Sequence, residues 1–357
     1  MATQPAAARG VGKGRTPPPD PAEWRAYHLF YHADRDRLVT ELVRPTVADL
    51  LREGEIGSFY FVRYNLGGPH VRLRLKPGHG RAGSVDARVR RAAAEFFQRR
   101  PSSEPVAEEV IRRQNRGIVA SDPLSGGVAD EVFPDNTLEE FPPLFEVERY
   151  GGPRLFRHSL DFFTLSSVEA LHFLSGLADP SAGQRLSGAF RLCVRQAWGF
   201  ARDDAEFTEL LSYASRIFTH DLLARFAERG DEAFERQRDA YTRLLRDELA
   251  LCAGTGGPGG PPAITVGARR LAREIRKLDD AGRWTVAASQ LHMTANRLGL
   301  LNPEELYLGR ILWRAARELA VSEPVFWKEA WTAHRQQGRK PGARLRDLLG
   351  PALKRLR

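Results

Sequence analysis

The stretch "FYFVRYNLGGPHVRLRLKPG", residues 59–78, decides the fold reading. "SFYFVRY" (58–64) and "HVRLRL" (70–75) are rich in aromatic and β-branched residues, and "NLGGP" between them supplies the turn chemistry of a hairpin. In the second strand a period of two sends Val71, Leu73 and Leu75 to one face and His70, Arg72 and Arg74 to the other. One face belongs to a core. The other is either an ordinary wet sheet surface or a cationic floor for an anion. Antiparallel pairing is expected to put Arg63 on that same face, with the register left open by the sequence.

Outward from the hairpin, "WRAYHLFYH" (24–32) reads as another strand, and residues 34–53 as a helix that Pro45 interrupts or kinks. "SVDARVRRAAAEFFQRR" (84–100) is an amphipathic helix able to cover the sheet. Residues 101–143 hold Pro, Ser, Gly and Asp with little period and are expected to be an extended surface excursion. In "FEVERYGG" (145–152) a short strand should end at the glycine pair, with Arg149 and Tyr150 at its tip.

From residue 152 onward the pattern turns helical, with segments near 153–178, 183–202, 204–217, 219–253, 264–280, 283–298, 303–320 and 323–338 and a Gly/Pro loop at 253–262. The fold class is therefore α+β: an N-terminal mixed β-sheet with flanking helices, then a predominantly helical half. The expected division is a disordered tail at 1–22, one unit at 23–338 (sheet-containing 23–152, helical 153–338) and a basic tail at 339–357.

Composition narrows the function only a little. The net charge of +9 permits nucleic acid, anionic lipid or an acidic peptide as partner without choosing among them. Cys193 and Cys252 stand alone, with no CxxC and no Cys/His grouping at metal spacing, so a metal site is not indicated. No GxGxxG after a strand, P-loop, HExxH or GxSxG occurs, which leaves nucleotide and zinc chemistry unsupported. No run approaches the roughly 20 apolar residues that span a bilayer, and a reducing cytoplasm is the expected compartment.

Three constellations can carry chemistry. The first is Arg63, His70, Arg72 and Arg74, since guanidinium groups hold carboxylates by paired hydrogen bonds. The second is the Arg149–Tyr150 tip, and its plain counterpart is a surface turn. The third is "SQLHMTANRLGLLNPEE" (289–305). There His292, Asn296 and Ser289 share one helix face, while Trp284, Ala288, Leu291, Ala295 and Leu298 form the apolar side. A histidine so placed is either a general acid or base or a satisfied structural residue. His28, His32, His79, His158, His172, His220 and His334 lack such a context.

Taken in order, "WRAYHLFYH", "FYFVRYNLGGPHVRLRL", "ERYGG" and "LHMTANRLG" resemble the C-terminal elimination domain of class I lanthipeptide dehydratases, which also occurs as stand-alone proteins in thiopeptide and split lanthipeptide pathways. The likeness runs from Trp24 to the helix at 303–320. It implies a lyase that removes the α-proton from an O-glutamylated Ser or Thr of a ribosomal precursor peptide and expels glutamate, leaving dehydroalanine or dehydrobutyrine. It also implies that Arg72, Arg74 and Arg149 bind the glutamyl group and stabilise negative charge, and that His292 transfers a proton. Arg63, His70, Tyr150 and Asn296 are then expected to bind substrate. The physics agrees, because an amide α-proton is weakly acidic and its removal needs cations at the developing enolate oxygen.

The chain has no room for a glutamylating domain, so the resemblance implies a separate tRNA-dependent dehydratase subunit and no direct tRNA binding; a homodimer is left open. No metal or cofactor is implied. The gap between "HVRLR" and "ERYGG" is longer than the family pattern, and "DFFTLSSVEAL" (161–171) lacks its Asp-Ser pair. Pyridine synthases of thiopeptide pathways, which perform a formal 4+2 cycloaddition, resemble the same domain without its arginine and histidine set. That reaction is one alternative, a non-catalytic precursor-peptide binder is another, and nucleic-acid binding driven by net charge is a third.

Overall fold

The computed structural model describes residues 19–103, 105–121, 130–177, 180–216, 221–255, 260–339, 350 and 356. Most of both expected tails lies outside these residues. Pro21–Glu23, at the end of the expected N-terminal tail, form a 3-10 turn capped by the Asp20 carboxylate.

Strands β1 (Arg25–Phe30), β2 (Ile56–Tyr64), β3 (His70–Pro77) and β4 (Thr137–Glu140) make one sheet in the order β2-β3-β1-β4. Every pair is antiparallel, which corrects the expected mixed sheet. The β2–β3 turn needs both of its glycines: Gly67 and Gly68 have φ of +82° and +123°, and a Cβ would come within 2.7 Å of Phe133 and 2.9 Å of His32 respectively. One sheet face carries Tyr27, Leu29, Phe59, Phe61, Val71, Leu73 and Leu75, all buried. Over this face lies α3 (Ala82–Arg99), whose Val85, Val89, Ala93 and Phe96 recur at helical spacing in the same core.

The helix expected over 34–53 is α1 (Arg35–Leu38), a π-turn (Val39–Val43) and α2 (Arg44–Arg52) in unbroken succession. Pro45 has no N–H and its ring would crowd the carbonyl one turn back, and the widened turn just before it accommodates both defects. The 101–143 excursion is more ordered than its composition suggests. It contains α4 (Glu108–Ser121) and β4. The buried side of α4 pairs Ile111 with Asn115, whose amide accepts from the Gly67 N–H and donates to the Glu131 carbonyl, so a polar anchor replaces the apolar period. Residues 148–150 also differ from expectation. They form a 3-10 turn, not a strand tip, closed by Gly151 and Gly152 at φ of +87° and +82°.

The helical half comprises α5 (Pro153–Ser175), α6 (Ala182–Phe200), α7 (Asp204–Ala214), α8 (Asp221–Arg236), α9 (Arg238–Cys252), α10 (Ala263–Ile275), α11 (Asp280–Arg297), α12 (Asn302–Ser322) and α13 (Pro324–Arg339). The single run expected at 219–253 is broken at Gln237, and no proline or glycine marks the break.

α5 and α11 close the open edge of β2 with side chains in place of a fifth strand. Asn296 accepts from the Arg63 N–H and donates to the Arg63 carbonyl, each at 2.9 Å. Arg297 donates through Nε to the Phe61 carbonyl at 2.8 Å, and the Phe61 N–H donates to Ser167 Oγ at 3.3 Å. An edge strand's backbone groups need partners, and this polar seam supplies them.

Candidate active site: an arginine-rich sheet face

The alternation of β3 holds in three dimensions. His70, Arg72 and Arg74 lie on the face away from α3, beside His28 and Phe30 of β1 and Tyr60 and Tyr64 of β2. The loop leading to and from β4 covers part of this face: Phe133 stacks on Phe30 at 4.7 Å, and Phe141 on His28 at 4.2 Å. The excursion therefore forms a wall of the site.

Arg72 donates through Nε to His70 Nε2 at 3.2 Å and lays its guanidinium 3.8 Å from the centre of the Tyr64 ring. Arg74 donates through Nη2 to His28 Nε2 at 3.3 Å, while its buried Nη1 has no acceptor. Burial lowers both arginines, Arg72 to about 10. Arg149 arrives from the 3-10 turn. Its Nη1 donates to Glu146 Oε2 at 3.0 Å and its Nε to Ser289 Oγ of α11 at 3.1 Å. The Glu146 charge is also felt by Arg72, Tyr60 and Tyr150, so this carboxylate lies between Arg149 and Arg72.

Aromatic rings build the surround. Trp24 packs edge-on against Tyr60 and Phe145, and Tyr60 and Tyr150 both meet Phe163. Tyr150 is buried, and that burial pushes its hydroxyl well above the ordinary phenol range. Behind the tyrosines lies Arg297, fully buried, bonded to Ser166 and Phe61 and 5.3 Å from the Phe163 ring centre.

Not every expected residue joins this group. Arg63 pairs with Val71 in the register, so it lies on the opposite face from Arg72 and Arg74, correcting the expectation of one shared face. There it binds Asp36, which also pairs with Arg185, and donates to the Arg297 carbonyl. Asn296 spends both ends of its amide on the Arg63 backbone. His292 stands one turn along α11 from Ser289 and holds Glu305 of α12 through Nδ1 at 2.8 Å. It lines a cavity of about 40 Å³ with Cys193, Ala288, Leu291, Ala295 and Glu305, and none of the three arginines lines that cavity. Burial raises the Glu305 carboxyl even though His292 draws it down.

Glu146, Glu305, His28 and Arg297 were not singled out in the sequence, and Ser289 was named only as sharing a helix face with His292 and Asn296. Glu146 had a signal, three residues before Arg149 in the same quoted turn, and Glu305 closes the quoted α11–α12 stretch; His28 had none beyond strand parity. Among the described residues no group of three or more His, Cys, Asp or Glu side chains is placed to hold a metal, and no helix is long and apolar enough to cross a membrane.

Solved structures share the fold. A pyridine synthase, TbtD, from thiomuracin biosynthesis is similar at TM-score 0.68 with 20% identity, over 83% of this chain and 98% of that one. TsrL is similar at TM-score 0.52 with 16% identity, over 90% and 99%. The tRNA-dependent lantibiotic dehydratase MibB from Microbispora sp. 107891 matches at TM-score 0.53 with 16% identity, over 89% of this chain but 29% of its own length. No curated protein matches the sequence. The family model described as "Lantibiotic biosynthesis dehydratase C-term" matches residues 24–316, and with most of its length so covered the chain belongs to that family.

Proposed function

We propose that the protein is a lyase that eliminates glutamate from O-glutamylated serine or threonine in a ribosomally made precursor peptide, the substrate being supplied by a separate tRNA-dependent glutamylating subunit. The observation that carries this reading is the pairing of Arg72 and Arg74 on one sheet face, with Arg149 brought toward Arg72 through Glu146. In the reaction a base takes the α-proton, the electron pair forms the Cα=Cβ bond, and the Cβ–O bond breaks to release glutamate as a carboxylate. Negative charge appears first on the peptide carbonyl oxygen and then on the leaving group, and fixed cations in a partly dry site stabilise both.

Arg72 and Arg74 are read as the cations for these oxygens, with Arg149 holding the glutamyl group from the other side. Arginine stays protonated and is no base. Two groups can move the proton: Glu146, between Arg149 and Arg72, and His292, which Glu305 orients. Tyr150 flanks Arg149, His70 acts through Arg72, and Arg63 and Asn296 act by holding β2 to the helices.

The test is mass spectrometry of a precursor peptide bearing a glutamylated serine. Loss of glutamate to give dehydroalanine is expected, with Arg74→Ala slowing it about 100-fold or more. His292→Ala is expected to slow it as well. An intact ester despite demonstrated binding would overturn the reading. A second reading, formal 4+2 cycloaddition, draws on the fold shared with the pyridine synthase TbtD. It predicts turnover of a doubly dehydrated peptide that survives Arg74→Ala.

A further inference from the structure

Several arginines of this protein are held by carboxylates, whereas the buried Arg297 and Arg269 are held by neutral groups, Arg269 by His334 and Gln337. Arg63 and Arg185 share Asp36, and Arg191 and Arg195 share Glu248, whose side chain is fully buried. Such pairing satisfies the guanidinium and cancels its charge. Arg72 and Arg74 are anchored in another way. The groups that orient them are an imidazole each, His70 Nε2 for Arg72 and His28 Nε2 for Arg74, together with the ring of Tyr64 beside Arg72 and the Tyr60 hydroxyl beside Arg74.

The protonation of these imidazoles follows from hydrogen-bond chemistry. A guanidinium only donates, so each Nε2 must accept and carry no proton. His70 Nδ1 lies 2.8 Å from the Gly68 carbonyl, which only accepts, so Nδ1 carries the hydrogen. His28 lies between His70 at 4.8 Å and Phe141 at 4.2 Å, both rings stacked on it. A proton on either Nε2 would break the bond to its arginine and add a cation to a site that already has several.

The charged and titratable surroundings point the same way. Arg72 and Arg74 face both rings from β3, Arg35 of α1 adds positive charge near His70, and Tyr60 and Tyr64 flank from β2. Glu139 of β4 stands directly opposite His28 in the register, and Glu146 lies near Arg72. Burial and the arginines together hold both imidazoles below the ordinary histidine range.

We propose that His28 and His70 are positioning residues that act as neutral acceptors, fixing Arg74 and Arg72 in place while leaving both guanidinium charges for an incoming carboxylate. The identity of that carboxylate, glutamate, rests on the lyase reading; the anchoring itself does not. Arg74, which lies beside the Tyr60 hydroxyl, would offer its Nη1 to such a carboxylate. His28 thereby acquires a role in the site that its place in the sequence did not suggest.

Two measurements on the full chain test this. The first is long-range 1H–15N spectroscopy of 15N-histidine-labelled protein between about pH 5 and pH 8, with His28→Gln and His70→Gln assigning the signals. Both rings should remain neutral and Nδ1-protonated throughout, and a titrating ring or an Nε2-bound proton would overturn the proposal. The second compares His28→Gln, a neutral acceptor of similar reach, with His28→Glu, an anionic one, using L-glutamate as the probe in binding titrations and a cooperative unfolding transition as the check on folding.

Affinity should stay within about threefold for the glutamine variant and fall at least about tenfold for the glutamate variant, because the new carboxylate occupies Arg74. Equal affinities in the two variants would overturn it. If the parent chain does not bind glutamate at all, the glutamate-elimination reading falls, while the histidine spectra still decide the anchoring.

Discussion

The two faces of one hairpin treat arginine in opposite ways. On the face that meets α1, Arg63 is locked to Asp36 and to the Arg297 carbonyl; its charge is spent on architecture. On the other face Arg72 and Arg74, a few residues away in the partner strand, rest on imidazole and phenol rings that orient without neutralising. Number and type of side chain are therefore poor guides to function here. On this hairpin, what separates Arg63 from Arg72 and Arg74 is the charge of the group behind each guanidinium.

The sharpest way to break this comparison is to remove the carboxylate from the structural face. Asp36→Ala leaves Arg63 and Arg185 without their shared acceptor and should lower stability by about 3–5 kcal/mol in urea unfolding. Arg74→Ala, which removes a charge that has no carboxylate partner of its own, should cost about 1 kcal/mol. Similar losses for the two would mean that the faces are not different in kind.

A smaller effect is expected at the seam. Asn296→Ala orphans the Arg63 N–H and carbonyl and should cost about 2 kcal/mol, with faster hydrogen exchange at the Arg63 amide. Asn296→Asp should be worse at neutral pH, because a carboxylate cannot donate to the carbonyl. An unchanged exchange rate at Arg63 would show that the edge of β2 is held by other groups.

The smallest effect concerns Glu305 and sharpens the role of the α11–α12 contact. Burial raises its carboxyl above the ordinary range, partly offset by His292. A carboxyl that binds its proton more tightly when folded costs stability once pH rises above its folded pKa, and costs nothing below its unfolded pKa. Glu305→Gln removes that penalty, so the stability of the variant relative to the parent should improve from mildly acidic to neutral pH. The opposite slope in paired denaturation curves would show that the bond to His292 outweighs burial.

Much of the architecture was legible. The helix expected at 283–298 is Asp280–Arg297, and that at 303–320 is Asn302–Ser322, because apolar periodicity in the chain and burial in the fold report the same quantity. The alternation of "HVRLRL" correctly separated the face of Arg72 and Arg74 from the core. Misreadings fell where polar groups do the work of apolar ones. In α4 a buried Asn115 blurs the helical period, and at 148–150 two left-handed glycines turn an apparent strand end into a 3-10 turn.

The sequence alone determined the α+β class, the hairpin, the helical half and the cationic strand, since these follow from local period and turn chemistry. It also carried the four motifs by which the family likeness could be stated. Only the tertiary structure decided on which face Arg63 falls, because that depends on the parity of a register set by the five-residue turn between Tyr64 and His70. It alone brought Glu146 between Arg149 and Arg72 and placed His28 and His70 behind Arg74 and Arg72 as acceptors. Partner identity is a property of packing across distant segments, and the charge left over at a site is the sum of those partners.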